Sequence, residues 1–284
     1  MSKEKDSEDN VDLITGQELA RQGEVLPAVI HLLPVTSRPF FPGQAVPLLM
    51  EMEHWTSTMK AVKASEHGII GIVLAKAKTS ETAKPADFHG IGTACRVHRV
   101  QPVEGRLQVL VECLQRFRIE QILDKKTPFR ARVHYFQEPA GAAKGDIKAY
   151  AMAIINTIKE LVPLNPLYAE ELRIFLDRLG PDDPSHLADF AASLTTANKE
   201  QMQEVLEAVE LLPRMEKVLL LLNNELELAR AQHEIRKSVE DRMEGQQREF
   251  FLRDQLKSIK KELGLEKDDR TAELDKFKER LEAL

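Results

Sequence analysis

Short runs of β-branched and other apolar residues, separated by glycine, proline and aspartate, fill residues 25 to 138. Runs of this kind are typical of β-strands. The alternation is strictest at Leu107, Val109, Val111 and Cys113, which are spaced by two. Because successive side chains of a strand point to opposite faces, this spacing predicts a strand with one buried face. Residues 25–138 are therefore predicted to form a β-rich domain.

A helical segment interrupts these runs. Trp55, Met59 and Val62 recur at spacings of four and three, which places them on one side of a helix. The helix is predicted from roughly Glu53 to His67. The fold class is therefore predicted to be α+β.

The loop before this helix, LLPVTSRPFFPGQAVPLLM, contains four prolines and one glycine. Proline lacks a backbone N–H, so the loop is predicted to avoid regular ladder pairing and to hold Phe40 and Phe41 in a stiff connection. Two interpretations of these adjacent aromatic residues remain open. Either one is buried and the other partly covered, or the pair is an exposed apolar contact site.

After residue 138 the apolar spacing becomes helical. Ile147, Ala151, Ile154, Ile158 and Leu161 recur at spacings of 4, 3, 4 and 3. Helix-start signals follow further along the chain. These patterns predict a helical bundle over residues 145–212, with further helices at 167–179, from Pro184 behind Asp183, and from Asn198, whose capping box is completed by Gln201.

A single long helix is predicted over residues 213–264, because residues 214–263 contain no proline and one glycine, Gly245, and Gly264 is placed to end the helix. Its first part is predicted to pack against the preceding helices, and its middle to protrude from them. That middle has a thin apolar stripe, which predicts self-association through a short coiled coil. A wide apolar face then returns. The stripe is Ile235, Val239 and Met243, and the wide face is Leu252, Leu256, Ile259 and Leu263, with Phe251 beside them.

The distribution of charge divides the chain further. The net charge of the protein is −6. Residues 1–24 carry seven acidic and three basic side chains and are predicted to be a disordered acidic tail. Residues 25–137 carry fifteen basic and nine acidic side chains. These changes of sign indicate segments with separate surfaces.

Basic residues spaced by two are the strongest electrostatic pattern in the β-rich domain. The pairs are Arg96 with His98, Arg116 with Arg118, and Arg130 with Arg132. Members of each pair project from one face of a strand. They are interpreted either as a solvated sheet surface or as a face that binds polyanions.

No motif in the sequence indicates catalysis, and no catalytic, cofactor-binding or metal-binding residue is predicted. Phosphate-binding, nucleophile-elbow and zinc-protease motifs are missing. Cys95 and Cys113 lack the spacing of a zinc site or a disulfide framework. No stretch is apolar enough to predict a membrane span, so no membrane partner is expected and a cytoplasmic location is predicted.

Three segments together resemble the N-terminal region of Lon-family ATP-dependent proteases. They are LLPVTSRPFFPGQAVPL, VLVECLQRFRI and QREFFLRDQLKSIKKELG, and their order and spacing agree with the family. The resemblance implies a PUA-like pseudo-barrel, then an α-helical bundle that ends in a long protruding helix. Cys113 stands where the family usually has glycine, and Thr36 where it usually has arginine.

The resemblance also implies a function. This region of Lon proteases recognises unfolded or damaged proteins, contributes to hexamer assembly and passes substrate to the ATPase ring. Residues 265–284 would begin the linker to that ring, and ATP, magnesium and a Ser-Lys dyad would belong to the later domains. The predicted substrate contacts are Phe40, Phe41, Met243, Phe250, Phe251 and Leu252.

Two alternatives compete with this function. The first is a module that binds nucleic acid or another polyanion through Arg116, Arg118, Arg130 and Arg132. The second is a freestanding coiled-coil scaffold.

Overall fold

The protein is described by a computed structural model that covers residues 26–137, 145–164, 183–263 and 277–282. The predicted tail at 1–24, the predicted helix at 167–179 and most of the predicted linker at 265–284 lie outside these residues. The β-rich part has six strands and the single α-helix that the apolar spacing predicts, which ends at Ala64 rather than near His67. They are β1 (Val29–Val35), β2 (Ala45–Glu51), α1 (Met52–Ala64), β3 (Ile69–Leu74), β4 (Ile91–Val103), β5 (Arg106–Asp124) and β6 (Arg130–Tyr135).

The strands close into a barrel. The sheet order is β2-β5-β4-β3-β1-β6, and β6 pairs with β5 as well, which completes a ring of five strands. β5 allows this closure because its 19 residues pair with β2 along the first half and with β6 along the second. β1 and β3 are parallel, whereas the other pairs are antiparallel. The predicted α+β pseudo-barrel is confirmed.

The alternation along β5 positions the barrel core. Leu107, Val109, Val111 and Cys113 are all buried in the core, as their spacing predicts. α1 contributes Trp55 to the same core, together with Met59 and Val62. Burying large side chains of this kind stabilises a fold by about 1.5–3 kcal/mol each. The core is therefore the main source of stability in this part of the chain.

Two glycines make room for an aromatic ring inside the barrel. A Cβ atom built on Gly71 would lie 2.8 Å from the Phe117 ring, and one built on Gly92 would lie 3.0 Å from that ring and would clash with the Ile72 carbonyl oxygen. Phe117 is fully buried. The missing side chains on β3 and β4 are therefore what admits this ring.

The prediction that the proline-rich loop avoids ladder pairing is wrong at both ends of the loop. Pro34 lies in β1 opposite Val73, and Pro47 lies in β2 opposite Leu110. Sheets tolerate proline where one side of the strand has no partner. β2 is the edge strand, and Pro34 lies beyond the β1 residues that pair with β6.

Two of the three helices described between the barrel and the last helix begin where the sequence signals indicate. The three are α2 (Gly145–Leu161), α3 (Pro184–Ser193) and α4 (Lys199–Glu207). The Asp183 side chain accepts a hydrogen bond from the His186 N–H at the start of α3, and Asn198 and Gln201 form the predicted capping box at the start of α4. These caps satisfy backbone donors that a helix leaves free at its first turn.

The last long helix, α5 (Leu211–Glu262), begins two residues earlier than predicted and continues through Gly245. Met215, Leu222 and Leu226 are buried. Every residue from 230 to 263 is exposed. One compact unit of the chain ends at Leu226 and a second begins at Glu227, so the boundary lies inside α5.

Candidate functional site

The second part of α5 carries large apolar side chains that nothing in the described chain covers. Phe250 is 72% exposed and Phe251 is 70% exposed. We call the set Phe250, Phe251, Leu252, Leu256, Ile259 and Leu263 the helix apolar cluster; every member is more than half exposed. Leu252, Leu256, Ile259 and Leu263 share one side of the helix, Phe251 lies at the edge of that side, and Phe250 lies on the opposite side. Large apolar side chains exposed in this number are typical of sites that bind another macromolecule.

The thin stripe predicted in the middle of α5 is exposed as well. Ile235, Val239 and Met243 are 65%, 52% and 56% exposed. Their spacing of four residues makes the stripe drift slowly around the helix. Nearby, Arg253 pairs with Glu249 at 2.6 Å, one turn apart on an exposed surface. The structure therefore places Met243, Phe250, Phe251 and Leu252 where a partner could reach them.

Phe40 and Phe41 are not an exposed pair. Phe41 is completely buried, so its prediction as a substrate contact is wrong. Phe40 is partly buried and packs against the barrel core, while its carbonyl oxygen accepts a hydrogen bond from the Thr93 hydroxyl at 2.5 Å. The Phe41 N–H donates to the Gln44 side chain at 2.9 Å. The loop holds both residues against the barrel, because burying an aromatic ring removes apolar surface from water.

Arg116 is buried too, so its prediction as part of a polyanion face is wrong. It lies on β5, and only 1% of its side chain is exposed. Its guanidinium donates two hydrogen bonds to the Asp189 carboxylate on α3, one of them at 2.6 Å, and its Nε donates to the Leu206 carbonyl on α4 at 3.2 Å. The helices cover this face of β5, which is why the arginine does not meet solvent.

A second arginine completes this buried cluster. The Arg214 Nη1 atom in the first turns of α5 lies 3.6 Å from Asp189 and donates to the Ser185 hydroxyl at 2.8 Å. Its other donors reach the carbonyls of Ala208 and Val209. Buried charges of this kind are retained when they are paired and hydrogen-bonded. We call Arg116, Asp189 and Arg214 the barrel–helix ion cluster, because it connects β5, α3 and α5.

Three of the four predicted arginines do form an exposed basic surface. Arg130 and Arg132 project outward from β6. Arg118 lies on the neighbouring strand β5, opposite His134 of β6. The Arg118 guanidinium carbon lies 5.1 Å from the centre of the Phe136 ring. Arg130 forms an ion pair with Asp124. Arg96 and His98 lie apart from this surface, beside Glu112 on β5.

An open pocket of about 600 Å³ lies at one end of this surface. His31, Asp124, Lys125, Lys126 and Arg130 line it, with Leu123 and Pro128. The buried Nδ1 atom of His31 has no hydrogen-bond partner in the described part of the chain. Burial lowers the pKa of His31, which favours the neutral ring at neutral pH.

Sequence reasoning missed several of these residues. Asp189 looked like an ordinary helical residue, and Arg214 lay next to a predicted helix start, so no local signal joined them to Arg116. Lys125 and Lys126 carried a usable signal, because two adjacent lysines between two strands indicate an exposed turn. The partners of a buried charge come from distant parts of the chain and have no fixed spacing.

The two cysteines are close together but reduced. Cys95 and Cys113 lie on paired strands with their sulfur atoms 3.3 Å apart, and both are buried. Burial raises the pKa of Cys95 well above its ordinary value, which disfavours the reactive thiolate. Across the described residues, no group of three or more His, Cys, Asp or Glu side chains could hold a metal ion. None of the helices described has the length and apolar character needed to span a membrane.

Comparison with known families identifies the class of protein that this fold and these surfaces represent. Residues 29–224 match the family described as the ATP-dependent protease La (LON) substrate-binding domain. The match covers most of the chain, and the chain therefore belongs to this family. The resemblance to Lon proteases found in the three sequence segments is confirmed.

Individual relatives agree with this assignment. Lon protease 2 of Hydrogenovibrio crunogenus is 46% identical over 270 residues, which are 95% of this chain and 31% of that protein. The Lon protease of Protochlamydia amoebophila is 39% identical over 281 residues, 98% of this chain and 34% of its own length. The chain thus spans about a third of the relatives that it matches.

A solved structure has the same fold. The N-terminal domain of a Mycobacterium avium complex Lon protease superposes with a TM-score of 0.55 at 22% identity. The match covers 69% of this chain and 98% of that one. The barrel and its helices are therefore the fold of a Lon N-terminal domain.

Proposed function

We propose that this chain captures unfolded or damaged proteins for a Lon-type ATP-dependent protease, and that the helix apolar cluster makes the contact. Unfolded proteins differ from folded ones mainly in exposing apolar segments, so a surface that selects them should itself be apolar. The exposure of Phe250 and Phe251 is the observation that carries this proposal.

The shape of the site suits variable substrates. A helix satisfies its backbone hydrogen bonds internally, so it can display apolar side chains without support from a sheet or a pocket. Phenylalanine rings bury a large area on contact, and a few such side chains supply most of the energy in typical interfaces. Sequence-independent capture needs apolar area more than it needs a shaped cavity.

We assign a second role, oligomer assembly, to the thin stripe of Ile235, Val239 and Met243. A narrow apolar stripe on a polar helix is typical of helices that pair along a short coiled coil. Self-association of this chain into a homo-oligomer, a hexamer in the complete protein, is the expected outcome. ATP, magnesium and peptide cleavage would be supplied by other parts of the complete protein, and the cytoplasm is the proposed location.

Capture is tested by binding of a permanently unfolded, carboxymethylated protein labelled with a fluorophore. The triple variant Phe250→Ser, Phe251→Ser and Leu252→Ser should bind about tenfold more weakly, as expected for loss of an interface hot spot. The matched control on the same helix is Gln246→Ser with Gln247→Ser. A second control is Leu49→Ser, which removes an apolar side chain that is 63% exposed on β2. Equal binding by the triple variant and the wild type would contradict the assignment.

Assembly is tested separately by sedimentation. Val239→Glu with Met243→Glu should lower the average mass of the chain in solution, because charges in a coiled-coil stripe repel. Glu240→Gln with Glu244→Gln changes neighbouring polar positions and should leave the mass unchanged. An unaltered mass in the stripe variant would show that the thin stripe does not mediate assembly, and the proposal on capture would be unaffected.

A further inference from the structure

The exposed surface of β5 and β6 carries more basic side chains than its acidic side chains can neutralise. We call Arg118, Lys125, Lys126, Arg130 and Arg132 the basic face. Arg118 comes from β5, Arg130 and Arg132 from β6, and the lysines from the turn between the two strands. All five are exposed. They form one surface because β5 and β6 pair along this stretch.

Few acidic side chains neutralise this face. Arg130 pairs with Asp124. Lys125, Lys126 and Arg132 have no ion pair with any carboxylate of the described residues. Glu120 and Asp124 are the acidic residues of this β5 stretch, so five basic and two acidic side chains leave a formal surplus of three positive charges. A concentrated surplus of one sign attracts a partner of the other sign.

A pocket at the end of the basic face extends the surface on which an anionic partner could bind. It is open, has a volume of about 600 Å³, and is bordered by Lys125, Lys126 and Arg130. An anion that enters the pocket would lie beside these basic side chains.

The chain itself supplies an acidic segment next to this surface. Residues 1–24 contain seven acidic and three basic side chains. They are followed almost at once by β1, which pairs with β6 so that Val29 lies opposite Arg132 and His31 opposite Arg130. The acidic segment therefore joins the chain at the border of the basic face. At up to about 3.3 Å per residue, even part of it is long enough to cross this surface.

We propose that the acidic segment, residues 1–24, binds the basic face of its own barrel and blocks it against other anionic partners. A tethered segment acts at a high effective concentration, so weak ion pairs suffice for binding in cis. A nucleic acid is the rival occupant. It is disfavoured because Phe136 is the one aromatic side chain placed against an arginine of the described basic face.

The first test uses the unmodified chain and a carbodiimide, which joins a carboxylate to a lysine amine only when the two are in contact. Cross-links from residues 1–24 should concentrate on Lys125 and Lys126 and should disappear in concentrated salt, because exposed ion pairs are screened. The exposed lysines Lys60 and Lys148 are internal controls. Cross-links spread equally over all four lysines would overturn the proposal.

A charge reversal sharpens this test. Arg118→Glu with Arg132→Glu keeps both lysines but removes the attraction, and it should lower the cross-link yield at Lys125 and Lys126 by about tenfold if the segment is held by charge. The matched control, Lys60→Glu with Lys63→Glu, makes the same change in net charge on α1 and should leave the yield unchanged. An equal loss in both variants would contradict binding at the basic face.

The second test asks what else the basic face can hold. A labelled single-stranded oligonucleotide should bind weakly to the unmodified chain and about tenfold more tightly when the seven acidic residues of 1–24 are changed to their amides, because a competitor has been removed. Arg118→Glu with Arg132→Glu should cancel that gain. Tight binding to the unmodified chain, or a gain that survives the charge reversal, would show that the segment does not occupy this face.

Discussion

The barrel buries its large apolar side chains, whereas the second part of α5 exposes side chains of the same type. Phe41 and Phe117 in the barrel are completely buried, whereas Phe250 and Phe251 on α5 are more than two thirds exposed. A β-strand satisfies its backbone hydrogen bonds only with neighbouring strands, so the strands assemble into a sheet, which here closes around a core. A helix satisfies them alone. The barrel is therefore stabilised by its own side chains, while the apolar side chains of α5 remain available to a partner.

The largest expected effect comes from truncating the two kinds of phenylalanine. Phe117→Ala should lower the free energy of unfolding by about 4 kcal/mol, because it leaves a cavity in a closed core. Phe251→Ala should change it by less than about 0.5 kcal/mol, since the ring is already in water. Denaturant unfolding followed by circular dichroism measures both. A large loss in Phe251→Ala would mean that the helix apolar cluster is covered in solution.

The next effect distinguishes buried from exposed charge. Asp189→Asn should lower the free energy of unfolding by about 3 kcal/mol, because two buried arginines lose their shared carboxylate. Asp124→Asn removes an exposed ion pair with Arg130 and should cost less than about 1 kcal/mol. The same unfolding measurement compares the two. Similar losses would indicate that the barrel–helix ion cluster is hydrated.

Glycine to alanine substitutions should have opposite signs in the two regions. Gly92→Ala should destabilise the protein by about 2 kcal/mol, because the new Cβ atom meets the Ile72 carbonyl oxygen and the Phe117 ring. Gly245→Ala has no atom within 4 Å of the new Cβ and should raise the helix content of α5 slightly. Thermal unfolding tests the first and far-ultraviolet circular dichroism the second. A stable Gly92→Ala variant would show that the barrel can expand.

The smallest effect is on pH dependence. The pKa of His31 is lowered from 6.5 in the folded protein, chiefly by burial. His31 therefore binds a proton more readily in the unfolded chain than in the folded protein. The stability that neutral His31 contributes should be fully present above about pH 6.5 and should be lost as the pH falls through the pKa of the folded protein. Unfolding measured between pH 7 and pH 5 should show a smaller decline for His31→Gln than for the wild type. Equal declines would assign the acid sensitivity to other groups.

Much of the fold could be predicted from the sequence because its elements are locally encoded. The spacing of Leu107, Val109, Val111 and Cys113 correctly predicted a one-sided strand, and the signals at Asp183 and Asn198 correctly predicted two helix starts. Exposure of the middle of α5 also followed from periodicity, since a helix with so few apolar residues there has no core of its own. The roles of these residues in binding stay predictions.

The environment of Arg116 and of Phe41 was decided by the tertiary structure alone. Alternation assigns a strand residue to a face, but it does not say what covers that face. Arg116 was correctly placed on a strand, yet α3 and α4 lie over it and supply a carboxylate 73 residues away in sequence. Phe41 likewise depends on how the loop folds against the barrel. Local spacing encodes which side chains share a face, whereas burial and charge pairing depend on contacts between segments that only the folded chain brings together.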